Sequence, residues 1–567
     1  MWAVAASSEP VVLLAQISSA QYQQDPEAVG GLGLSALVSV LPLAVVLVLL
    51  GALRVRAHWA ALAGLTTALV VAIAGFGMPF GMSLSAAAHG AVFGLFPILW
   101  IVINALWVFN MTVATGHFDV LRRSFGTLSI DTRTQAILVA FCFGGLLEAL
   151  AGFGAPVAIT SVMLVALGFA PIKAAVVALV ANTAPVAFGA MGVPVITLAQ
   201  VTGLPLDVVS STVGRQTPLL ALFVPLVLVF IVDGRRGLRE AWVPALGCGI
   251  VFALGQFLTS NFFSVELTDI VASLAGAVTV FALARLQPNA VWAARKPALS
   301  TTGGPSSGGT PDGSDPDETP DSPAEIRKAY APYAIIIVVF ALAQLPGIKE
   351  LLASVKIAFA WPGLDVLTPA GVRDKVNDFS FSVLSTAGTL MVLAAVIVAV
   401  VLGVGVRRTI TTWTKTVGEL TWAILTVASV LALAYVMNAS GQTTSIGLFV
   451  AGAGAALAFL SPVLGWFAVA VTGSDTSANA LFGSLQVTAA QGAGLPPELL
   501  ASANSSGGVL GKMLSPQNLT IAAAAVKLDG QEGTLLRKVI GWSLGMLLIL
   551  STIIALQATP VLSWMLP

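Results

Sequence analysis

Charge is what this chain is short of. Only 9% of its 567 residues are Asp, Glu, Lys or Arg, against about 25% in a soluble domain. That scarcity excludes a water-soluble globule. The 26 basic and 26 acidic residues cancel, so no net field draws in a nucleic acid. Cysteine is nearly absent. Cys142 and Cys248 sit inside apolar runs and are expected to be packed thiols, not a disulfide or metal ligands. The sequence lacks a P-loop, a nucleophile elbow, a zinc spacing and a dinucleotide fingerprint. No cofactor and no metal are therefore expected. A membrane-embedded enzyme is a distant second class and a channel a third. No basic segment precedes the first apolar stretch, so a cleaved signal peptide is not expected.

What the chain has instead is hydrophobicity: 57% of residues are hydrophobic. Runs such as "LSALVSVLPLAVVLVLLGAL" (34–53) reach the roughly 20 residues that span a bilayer. The expected class is an all-α polytopic membrane protein with about 12 full crossings.

The Lys/Arg bias of cytoplasmic loops gives an orientation. Residues 1–33 carry no Lys or Arg, and form an extracytoplasmic N-terminal segment. Arg54 and Arg56, Arg122, Arg123 and Arg133, and Arg235, Arg236 and Arg239 mark inside loops. The stretch 300–323, "STTGGPSSGGTPDGSDPDETPDSP", is too polar to bury a core. It lies in a flexible cytoplasmic linker, 286–329. The amphipathic segment 346–379 is expected to cap the outer face.

One pattern occurs twice. "VANTAPVAFGAMGVP" (180–194) and "SANSSGGVLGKMLSP" (502–516) share Ala-Asn, then Gly, Met and Pro at the same spacing, 322 residues apart. Shifting the first half by that amount lays helix on helix, but charge gives matching helices opposite directions. This predicts two inverted-topology repeats, 34–233 and 330–560. Residues 241–285 are two inserted transmembrane helices without a partner, and both termini fall outside. Each repeat contains a re-entrant hairpin (134–169 and 445–490) and a broken helix (172–202 and 497–526). Inverted repeats with discontinuous helices are typical of secondary transporters, with substrate held near the midplane. Pro185, Pro194 and Pro516 remove helix hydrogen-bond donors and paired glycines weaken the helix further, and new helix N-termini favour an anion.

Acids inside a membrane are costly and functional by default. Glu148, at the first hairpin tip "EALAGFGAP", is the candidate proton carrier. Asp475, at the second tip "VTGSDTSAN", is the fallback and is expected to stay charged as a structural or substrate-orienting group. Lys512 either binds a substrate carboxylate or neutralises Asp475. Asn182, Thr183, Asn504, Ser505 and Ser506 offer donors and acceptors at the breaks. Gly152, Gly154, Ser474 and Thr476 at the tips complete the candidate substrate site. His117, at the end of the third helix, is a further proton-relay candidate.

The motifs "GLLEALAGFGAPVAI", "ANTAPVAFGAMGVPV", "GSDTSANALFGSLQV" and "ANSSGGVLGKMLSPQN" resemble the L-lactate permease family across both halves. The resemblance implies proton-coupled uptake of L-lactate, D-lactate and glycolate at a bacterial inner membrane, with no partner beyond substrate, proton and lipid, and a homodimer as one possible assembly. More remotely the chain is similar to the ion-transporter superfamily, which implies paired hairpins and elevator-type movement. The alternatives are a sodium- or proton-coupled carrier of dicarboxylates or other organic anions, and the membrane-embedded enzyme.

Overall fold

The computed structural model describes residues 21–126, 131–152, 154–286, 321–528 and 530–567. The linker 286–329 therefore lies mostly outside the described residues, as do residues 1–20 of the N-terminal segment.

Among the described residues, nine helices are long and apolar enough to cross a bilayer. They are Leu32–Ala52, Ala57–Gly75, Phe80–Ala114, Thr132–Ala151, Leu206–Phe262, Pro323–Ala343, Thr421–Ser440, Gly454–Thr472 and Glu532–Gln557. The difference from about 12 has local causes. Leu206–Phe262 counts once, yet its backbone leaves helical geometry at Asp233, Gly234 and Ala241. Other apolar helices, among them Pro171–Ala181, Gly189–Thr202 and Ala387–Val401, fall short of span length.

The fold is helical as expected, with short strands in and around segment 346–379. After helix Ile348–Ala353, strand Lys356–Ala360 pairs antiparallel with Asp378–Ser382. Strand Val366–Leu367 pairs in parallel with Tyr22–Gln23. The sequences "KIAFA" and "DFSFS" place apolar or aromatic residues at alternate positions, which suits a pleated surface.

The two ends of Phe80–Ala114 differ in chemistry. Near its start, Trp361 Nε1 donates to the Ser85 carbonyl at 3.1 Å, and Tyr22 Oη donates to the Ser440 carbonyl at 2.9 Å. This ties the strand segment and the N-terminal stretch to one end of the helix bundle. Beyond its other end, Arg123 grips Asp321, and Arg133 binds Asp131, Asp233 and Glu240. The arginines that mark inside loops by the charge rule thus gather at the end away from the strands.

Elements recur in the same order in both halves. The arms Thr132–Ala151 and Ala155–Ala166 flank a turn at Gly152 and Gly154. Gly454–Thr472 and Asp475–Ala493 flank a turn at Gly473 and Ser474. The packing is reciprocal. Ala155–Ala166 packs on Pro516–Ala525 of the second half, and Asp475–Ala493 packs on Gly189–Thr202 of the first.

Candidate functional site

Glu148 ends the apolar run of the first hairpin arm and is 2% exposed. An isolated carboxylate there is costly, and the fold surrounds it with donors. Lys512 Nζ donates to Oε1, and Asn182 Nδ2 donates to Oε2 at 3.0 Å. The hairpin tip of the first half, its broken helix and the broken helix of the second half thus meet at one carboxylate. Gly189 makes room for it: a Cβ there would sit 2.9 Å from Oε1. Asn182 Oδ1 stays buried with no hydrogen-bond partner among the described residues.

The first break is a true interruption. Helix Pro171–Ala181 stops at Asn182, turns follow, and Gly189–Thr202 opens with Ala190, Met191 and Gly192 at φ of 46°, 60° and 72°. Left-handed backbone costs a residue with a side chain about 1–2 kcal/mol. Strain of this kind collects at functional sites.

The second break falls at the C-terminal end of the expected stretch. The pair Gly507–Gly508 does not interrupt its helix, which runs unbroken from Pro497 to Gly511. The break falls at a 3-10 turn over Lys512–Leu514 and at extended Ser515, whose hydroxyl caps the helix Pro516–Ala525. The glycines serve close packing instead. A Cβ on Gly507 would lie 2.0 Å from the Pro462 carbonyl oxygen, and one on Gly508 would lie 2.2 Å from Asp475 Oδ1.

Asp475 forms a separate cluster. Its Oδ2 accepts from Ser505 Oγ at 2.7 Å and Asn479 Nδ2 at 3.4 Å, while Oδ1 has no partner among the described residues. Of the two partners left open for Lys512 within the protein or the substrate, Asp475 is not the one taken: the ammonium binds Glu148. Asn504 Nδ2 donates to Asn479 Oδ1 at 2.9 Å, and Ser506 Oγ to Gln216 Oε1 at 2.7 Å. Those side chains brace the second broken helix rather than reach Lys512. Thr183 Oγ1 is held by the Val180 carbonyl at 2.7 Å. Gly152 and Gly154 take φ of 41° and 87°, and a Cβ on Gly154 would lie 2.5 Å from Ile521 Cδ1, so the tip can approach the other half only as glycine. Ser474 caps the second hairpin arm through Ser477 N, and Thr476 is half-buried beside it.

His117 is not drawn into either cluster. Its Nδ1 lies 2.9 Å from Thr115 Oγ1 at the basic end of the bundle. Burial, then the charge of Lys328, push its imidazole below the ordinary value.

A cavity of about 1190 Å³ runs between Arg54, Arg56 and His58 on one side and Ser474, Ser477 and Gln517 on the other. It connects a basic rim to the second hairpin tip. Among the described residues, no group of three His, Cys, Asp or Glu side chains could hold a metal ion. Cys142 and Cys248 are free and buried, with sulfurs 3.6 Å apart.

A family model described as L-lactate permease matches residues 35–561. The chain belongs to the L-lactate permease family. Its members are permeases, so this is a multi-pass membrane transporter and not an enzyme. It is 41% identical to the glycolate permease GlcA of Escherichia coli (strain K12), covering 93% of this chain and 96% of that one. It is 40% identical to the L-lactate permease of Bacillus subtilis (strain 168), covering 96% and 100%, and 39% identical to that of Escherichia coli (strain K12), again covering 96% and 100%.

Sequence reasoning missed several polar partners of the permease interior. Gln216 and Gln486 line the second cluster, and Asp269 with Gln256 flanks the first break. The available signal was the one that found Glu148: a polar or acidic side chain set in a long apolar run.

Proposed function

We propose that this permease is a proton-coupled symporter for L-lactate, D-lactate and glycolate in a bacterial plasma membrane, with both termini extracytoplasmic. The observation that carries the mechanism is the buried Lys512–Glu148 ion pair, which joins the two halves at the hairpin tip. In the empty carrier this pair is neutral. A substrate carboxylate that takes Lys512 leaves Glu148 buried and unpaired, and Glu148 then takes a proton. The loaded site holds ammonium, carboxylate anion and neutral acid, so it is neutral again. A negative-inside potential opposes a bare anion by about 2.3 kcal/mol per charge per 100 mV, and the co-transported proton removes that opposition. Asn182, freed from Glu148 and with an open Oδ1, suits the 2-hydroxyl. The orphaned acceptor would reject an analogue lacking that hydroxyl. Ser474, on the wall of the cavity that reaches the second tip, and Thr476 two residues on stand on the substrate's route, and elevator-type movement of the hairpins and broken helices would expose the site alternately.

A monocarboxylate is favoured over a dicarboxylate by the count of available cations. Lys512 and Arg133 are the buried lysine and arginine side chains among the described residues, and Arg133 is already held by three carboxylates. Counterflow in proteoliposomes should run with lactate and glycolate, weakly with propionate and not with succinate. Preference for succinate would give the dicarboxylate carrier instead, and a requirement for sodium would replace the proton.

A further inference from the structure

The inserted helix pair carries a buried acid that this transport cycle does not use. Asp269 stands in the first turn of helix Thr268–Leu286 and is fully buried. Its Oδ1 accepts from Gln256 Nε2 at 2.8 Å. The same nitrogen donates to the Ala184 carbonyl, within the first break, at 3.1 Å. Asp269 Oδ2 and Gln256 Oε1, the other oxygens of these two side chains, are both buried without a partner among the described residues.

Two orphaned acceptors on the two side chains of one amide–acid contact fit one missing hydrogen. A neutral carboxyl and a carboxamide are self-complementary: the amide N–H meets one acid oxygen, and the acid O–H meets the amide oxygen. A carboxylate would leave both acceptors unsatisfied. It would also be an unpaired charge in the membrane interior. No ion pair to Asp269 forms among the described residues, and its helix packs on the hairpin arm that carries Glu148, the charge nearest in kind. The other titratable groups nearby bring no cation. Glu266, on the preceding turn, accepts from Ser264 Oγ at 2.6 Å, and the thiols Cys142 and Cys248 lie on elements packed against this helix. A helix N-terminus ordinarily favours a carboxylate, but the hydrogen bond of Asp269 goes to Gln256.

We propose that Asp269 holds a proton in the empty carrier and gives it to Glu148 when a substrate carboxylate takes Lys512. The O–H bond at Asp269 breaks, that at Glu148 forms, and Asp269 regains its proton from the side to which the site is open. The inserted helices are then the proton's entry branch. This rests on the symport reading of the Glu148–Lys512 site.

Infrared spectroscopy of the full chain in lipid nanodiscs reads the proton without transport. At neutral pH, the wild-type minus Asp269→Asn difference should contain an acid carbonyl stretch, and Glu148→Gln should keep it. No such band would overturn the proposal. So would a band that sodium chloride abolishes and choline chloride does not, which marks a cation site. If Asp269→Asn folds poorly, Gln256→Met should move the band to higher frequency by removing the hydrogen bond to Oδ1, and an unmoved band refutes the pairing. In proteoliposomes, Asp269→Asn should retain lactate exchange within about threefold while accumulation under a pH gradient falls about tenfold or more. Accumulation equal to wild type would overturn the relay. A wild type that moves no proton at all would sink the symport reading, whereas the infrared band bears on Asp269 alone.

Discussion

At the scale of single residues, the ion pair sets two expectations. Glu148→Gln keeps a hydrogen bond to Asn182 and frees Lys512 from its anionic partner. Lactate-for-lactate exchange should survive, while proton-driven accumulation is lost. Accumulation at the wild-type level would show that the proton travels elsewhere. Lys512→Ala does the reverse, leaving Glu148 buried and alone, a loss of about 3–5 kcal/mol when one member of a buried pair is removed. Both lactate binding and thermal stability should fall. Adding Glu148→Gln should recover the stability and not the binding, as scanning calorimetry and isothermal titration would report. Asp475→Ala is not expected to rescue Lys512→Ala, because Asp475 is engaged by Ser505 and Asn479. Asn104→Ala is the contrast. Its side chain bridges the Trp100 and Gly388 carbonyls and Trp413 Nε1, so it should cost stability with little effect on affinity.

At the scale of elements, the second broken helix depends on glycine for contact rather than for breakage. A Cβ on Gly511 would lie 2.1 Å from the Trp466 carbonyl oxygen, and one on Gly465 would lie 1.9 Å from that of Asn504. These are backbone atoms, so the hairpin arm Gly454–Thr472 and helix Pro497–Gly511 must separate if either position gains a side chain. Gly511→Ala should destabilise by about 1–3 kcal/mol and shift Lys512 away from Glu148. A lowered melting temperature together with weakened lactate binding is the expected pair of results. Gly533→Ala, at a position with open space around a Cβ, should change neither. Equal effects from the two substitutions would show that close helix contact is not what holds Lys512 in place.

At the scale of the whole molecule, Arg123 and Arg133 with their acids lie at one end and the strand segment with the N-terminal stretch at the other. Cysteine labelling in intact cells checks the membrane orientation proposed from this. Gly494→Cys should react from outside and Ser306→Cys only after permeabilisation, and the reverse pattern would invert the topology. The reciprocal packing of each hairpin on the other half's broken helix means that neither half completes the site alone.

Sequence by itself determined the class of this protein. Apolar runs of span length, sparse charge and a repeated Asn-Gly-Met-Pro spacing follow from local composition and periodicity, and they suffice for a polytopic helical transporter with two breaks. Glu148 and Lys512 were visible for the same reason, as charges in apolar surroundings. Which partner Lys512 takes was not. Glu148 lies 364 residues away and Asp475 only 37, so the nearer acid in sequence suggests itself. Only tertiary structure decides, because the hairpin tip of one half packs on the broken helix of the other. The same holds for the glycines: Gly507 and Gly508 weaken a helix by propensity, yet tertiary contact with Pro462 and Asp475 uses their lack of a side chain and keeps the helix whole. Asp269 shows the limit most sharply, since its lack of an ion pair among the described residues is a property of the packed interior and is written nowhere in the order of residues around it.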